Sequence, residues 1–74
     1  MKAHLINYND HTNIGSDMIF AIGKDKTIVV SYEDMDDDCI PHFSSDTASQ
    51  EEINAFIPAY DAQFDIENPD VIIF

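Results

Sequence analysis

The sequence predicts an α+β fold: an antiparallel-dominated sheet of about four strands, in the order β-β-β-α-β, with one kinked or split helix packed on one face. Three observations lead there. Two short β-branched runs flank a glycine-containing connection, an apolar stripe at the helical period occupies residues 53–64, and strand-like segments stand at both ends of the chain.

Lys2 to Tyr8 (KAHLINY) alternates imperfectly and reads as a first strand, with Ala3 and Leu5 on one face and His4, Ile6 and Tyr8 on the other. Asn9 to Asp17 (NDHTNIGSD) is rich in turn formers and reads as a surface loop. Met18 to Ile22 and Thr27 to Tyr32 then form a β-hairpin across Gly23-Lys24-Asp25-Lys26, a four-residue connection. Alternation puts Met18, Phe20, Ile28, Val30 and Val71 on one sheet face and Ile19, Ala21, Val29 and Ile72 on the other. One helix covers only one face. The second is expected to be half covered by the 9–17 loop, or to serve as a homodimer or partner surface.

After Tyr32 comes Glu33-Asp34-Met35-Asp36-Asp37-Asp38, five carboxylates in six residues, and Cys39-Ile40-Pro41-His42-Phe43 leads across to the helix. Thr47 with Gln50 and Ser49 with Glu52 both have capping-box spacing, so the helix starts near one of these pairs. Ile53, Phe56, Ile57, Tyr60 and Phe64 make its apolar stripe. Pro58 removes a backbone donor and disfavours helical geometry at Ile57, which predicts a kink or two abutting helices. Asn68-Pro69 ends the helical region, and Asp70 to Phe74 reads as the last strand.

Seventy-four residues are read as a single domain, 1–74, with a core drawn from eleven isoleucines, five phenylalanines and three tyrosines. One cysteine forms no internal disulfide and suits a cytosolic thiol. No basic leader and no long apolar run is present, so a soluble, non-exported cytoplasmic protein without membrane contact is expected. The charge stands out: fifteen acidic residues against three lysines and no arginine, net −12, with 45% hydrophobic residues that favour folding over disorder. A chain of this size is roughly 30 Å across, a length over which duplex DNA carries about 17 phosphates.

Specific chemistry finds little purchase. Asp34, Asp36 and Asp38 have the spacing of the first ligands of an EF-hand loop, but the sixth position is Cys39 and the twelfth Ser45, where glycine and a bidentate glutamate are required. Cys39-x-x-His42, with His4 or His11, has the spacing of a zinc site and is read instead as a small thiol beside a surface histidine. No nucleophile arrangement and no phosphate loop is present, and the only glycines are Gly15 and Gly23. The chain is read as no enzyme, without cofactor or metal.

The acidity itself carries the reading. Asp61, Asp65 and Glu67 sit at the carboxyl end of the predicted helix against its dipole, and Asp36, Asp37 and Asp38 repel one another, local costs of the kind found at functional sites. The expected partner surface comprises Glu33, Asp34, Asp36, Asp37 and Asp38 as one cluster and Glu51, Glu52, Asp61 and Asp65 on the helix's outer side as a second, joined in one patch. Such a surface attracts basic clefts and repels nucleic acid.

In size, acidity and single α+β domain, and through no motif, the chain resembles the small phage-encoded inhibitors of host defence, including anti-CRISPR proteins and anti-restriction DNA mimics. The resemblance implies a protein that occupies the basic nucleic-acid-binding groove of a host complex, in the host cytoplasm. Two other readings stand beside it. One is an immunity protein or antitoxin neutralising a basic nuclease; the other is a small assembly module dimerising through the second sheet face.

Overall fold

The computed structural model describes residues 1–11, 15–33, 40–67 and 70–74, with the side chains of 10, 11 and 64–67 left aside. The strands are β1 (Lys2–His11), β2 (Gly15–Ile22), β3 (Lys26–Glu33), β4 (His42–Ser44) and β5 (Val71–Ile73), and the helix α1 spans Gln50–Glu67. They form the α+β fold: one antiparallel sheet in the order β4-β3-β2-β1-β5, with α1 on one face. The fifth strand is the addition. His42–Ser44 does not simply lead to the helix but pairs with β3, Phe43 opposite Val30.

The central strands are longer than their apolar runs. β1 continues through Asn9 to His11 and β2 begins at Gly15, so most of the expected 9–17 loop is paired hairpin, Asn9 opposite Asp17 and Asp10 opposite Ser16. Cross-strand pairing overrides the turn propensity of these polar residues. Since they lie within the sheet, they are not a lid over its second face. Lys26 likewise pairs with Ile22, which shortens the β2–β3 connection to Gly23-Lys24-Asp25, with Gly23 at φ +64°.

Side-chain parity is set by two register details. The β1–β2 pairing slips between Leu5 and Asn7, so Ile6 is an extra residue and Tyr8 falls opposite Met18, on the helix side. The sequence alternation, which grouped Tyr8 with His4, is corrected by this bulge. In β5, Ile72 pairs with Ala3 and joins the core, whereas Val71 and Ile73 turn to the open face. That exchanges the expected places of Val71 and Ile72. Three consecutive apolar residues give no alternation from which the parity could be read.

The core holds Ala3, Met18, Phe20, Ile22, Ile28, Val30, Phe56, Tyr60 and Ile72. Phe56 stands against Phe20, Phe43, Tyr60 and Phe74 at centroid distances of 5.4 to 6.0 Å, mostly tilted or edge-on, the geometry aromatic quadrupoles favour. The Tyr60 hydroxyl lies 2.5 Å from that of Tyr32, which gives the buried ring a polar partner.

α1 starts at the second of its two candidate caps. Glu52 N–H donates to Ser49 Oγ (3.1 Å) and Ser49 N–H to Glu52 Oε1 (2.9 Å), a reciprocal capping box. Thr47 serves the sheet instead, its Oγ1 accepting Thr27 N–H at 2.9 Å. Pro58 lies inside one unbroken helix, so the split form is not taken. Pro58 and Asn54, whose carbonyl loses its helical donor, are both exposed, and water can satisfy that oxygen.

Candidate functional site

Carboxylates are the only abundant chemistry in the chain, and their placement follows from the strand directions. β1 and β3 run away from the end where β2 turns into β3. Lys2 and Lys26 therefore begin their strands at that end, and Lys24 occupies the turn itself. The Met1 ammonium is there too, donating to the Phe74 carbonyl oxygen at 2.6 Å. All three lysines thus share one pole of the sheet. Glu33 ends β3 at the other, seven residues and about 23 Å of strand from Lys26. Its ladder partner on β2 is Gly15, which pairs in turn with His11 of β1, and Asp17 and Asp10 lie two residues and one residue farther in along those strands.

At the lysine pole one candidate acid is already engaged. Lys26 Nζ reaches both carboxylate oxygens of Glu52, at 2.9 and 3.1 Å, while Oε1 also accepts the Ser49 N–H. The backbone N–H of Ser49 and then the Lys26 ammonium hold the Glu52 carboxyl below its ordinary value. Glu52 is half-buried and serves the helix start. Glu51, beside it in the first turn, is exposed and sits where the helix dipole favours an anion.

Farther along the helix Asp61 is exposed, next to Tyr60, whose hydroxyl reaches Tyr32 and so the strand end that carries Glu33. No basic residue occupies the last turn of α1. The Asp65 position lies on the same helix, in the span whose side chains are not described. Asp34, Asp36, Asp37 and Asp38 lie outside the described residues, as does Cys39 of the Cys39-x-x-His42 pair.

The candidates that can be placed therefore do not form one patch. Glu51 and Glu52 stand at the lysine pole, Glu33 at the opposite one, and Asp61 between them on the helix. The start of the helix is thus set apart from Glu33, since α1 begins near Lys26, where β3 begins, and not at Glu33, where it ends; the expected joining of the helix carboxylates with the acidic run falls on residues 34–38, outside the described residues. Capping-box spacing was visible in the sequence, but Lys26 as the partner of Glu52 was not, because the pair is 26 residues apart.

Among the described residues no group of three His, Cys, Asp or Glu side chains is placed to hold a metal ion. A shallow depression of about 190 Å³ lies at the lysine pole, lined by Met1, Ile22, Gly23, Lys24, Asp25, Lys26 and Glu52. No helix among the described residues is long and apolar enough to cross a membrane. No protein-family model, curated protein or solved structure matches the chain.

Proposed function

We propose that the protein is an acidic inhibitor that occupies the basic nucleic-acid-binding groove of a target protein, in the manner of the phage-encoded inhibitors of host defence that it resembles. One observation carries the reading: twelve net negative charges on a body 32 × 25 × 20 Å, with every lysine at one pole of the sheet. That is about one net charge per 2.7 Å of long axis, against one per ~1.7 Å along duplex DNA. The pole bearing Glu33 has no lysine to offset it. A groove lined with lysine and arginine meets there a field of the sign and density it is built to receive.

The inhibition is competition for space and charge, so no bond is made or broken. Binding releases counterions from the basic groove, and affinity falls with rising salt. Glu33, Asp34, Asp36, Asp37 and Asp38 lead the contact, supported by Asp61 and Asp65, with Glu51 at the margin. Glu52, held by Lys26, contributes to the field more than to the contact.

The test is affinity capture from extract of the host cell, with elution by rising salt. A variant with Glu33→Gln and Asp34, Asp36, Asp37 and Asp38→Asn serves as the control. A nucleic-acid-binding protein held by the parent, lost by the variant, and unable to hold its nucleic acid with the parent bound is the expected result. A partner captured equally by both contradicts the reading.

A further inference from the structure

Among the described residues, the short strands β4 and β5 cover part of the outer sides of β3 and β1. On the outer side of β3, β4 pairs with Val29, Val30 and Ser31, Thr47 Oγ1 takes the Thr27 N–H, and Ser45 Oγ donates to the Thr27 carbonyl at 2.5 Å. On the outer side of β1, β5 pairs with Lys2, Ala3 and His4, and the Asp70 carbonyl takes the Leu5 N–H at 2.7 Å. From Ile6 to His11 the outer edge of β1 has no strand beside it among the described residues. Ile6 and Tyr8 on this stretch are 59% and 56% exposed, and the segment has neither the lysine nor the proline that commonly blocks an open edge. The Ile6 bulge twists the strand but covers nothing beyond it.

We propose that the Ile6–His11 edge of β1 is a strand-addition site for an extended basic segment of the protein's target. The open backbone groups supply the ladder, Ile6 and Tyr8 the apolar anchors, and the occupant's chemistry follows from charge. A second copy would bring another −12 to the same place, whereas a segment rich in lysine or arginine is drawn toward the pole that carries no lysine. The site rests on the reading of the chain as a ligand of a basic protein, and it gives that ligand a defined docking register which charge alone lacks.

The probe is a synthetic nonapeptide of alternating lysine and valine, compared with the same peptide N-methylated at every residue, which keeps its charge but offers no backbone N–H to an edge. Binding is followed by the amide signals of the 15N-labelled full chain and by fluorescence anisotropy. The unmodified peptide is expected to shift and protect the amides of Ile6–His11, and N-methylation to weaken it at least tenfold. Ile6→Ser with Tyr8→Ser is expected to weaken it about tenfold with little change in melting temperature, both side chains being exposed. Equal binding of the two peptides, or shifts centred elsewhere, overturns the proposal. So does a peptide-free dimer that falls to monomer in the serine variant, which assigns the edge to a second copy. The groove reading fails separately, through a neutralised variant that still displaces nucleic acid.

Discussion

Gly15, the first residue of β2, is where the pairing of β2 with β3 most directly needs a glycine. Its φ of +145° is one that L side chains rarely adopt, and a Cβ there would run into the carbonyl oxygen of Tyr32 on β3. Gly15→Ala is therefore expected to cost about 3 kcal/mol. At Gly23, in open space at φ +64°, the same substitution costs about 1 kcal/mol. Urea unfolding of the two variants checks the difference. Glu52 is the second residue with a definite consequence. Its carboxyl is held low by the Ser49 N–H and Lys26, so its contribution to stability is present above the ordinary carboxylate range and is lost as pH falls through the depressed value. Glu52→Gln should melt below the parent at pH 7, and thermal melts should show the gap closing in acid. A gap that persists at pH 2 would contradict the assignment.

Among the described side chains of α1, Phe56 and Tyr60 are the buried ones that attach it, and Ile53 and Ile57 are only half-buried; Phe64 of the expected stripe lies outside the described side chains. Phe56→Ala removes the ring that stands against Phe20, Phe43, Tyr60 and Phe74, and is expected to cost about 3–5 kcal/mol, enough to leave a chain of this size largely unfolded. Tyr60→Phe keeps the ring, loses the bond to Tyr32, and should cost about 1 kcal/mol by the same denaturation assay. These elements were largely legible in the sequence because their signals are local. The alternation of Met18–Ile22 and Thr27–Tyr32, the stripe from Ile53 to Tyr60 and the Ser49–Glu52 box all act within a few residues. What was not legible depends on pairing across the chain: the Ile6 bulge, the parity of Val71 and Ile72, the three-residue β4, and the hairpin arms at Asn9–His11 and Gly15–Asp17. The same division holds in the candidate site. The acids could be counted from the sequence, but that Glu52 and Glu33 stand at opposite poles follows from strand direction and from Lys26, a partner far along the chain.

At the scale of the whole molecule, the long axis of 32 Å and radius of gyration of 11.8 Å agree with the size that chain length implies. The arrangement of charge is what the fold adds. Fifteen carboxylates would make any chain acidic; a sheet that gathers all its lysines at one end makes it polar, with a preferred end for a basic partner. Competition at that partner's groove tests this most directly. The partner is loaded with fluorescently labelled nucleic acid and titrated with the parent chain at several salt concentrations. The account predicts release of the labelled strand, with a competition constant that weakens steeply as salt rises and a shallower slope for the variant neutralised at Glu33, Asp34, Asp36, Asp37 and Asp38. A ternary complex in which the partner keeps its nucleic acid with the chain bound would contradict it.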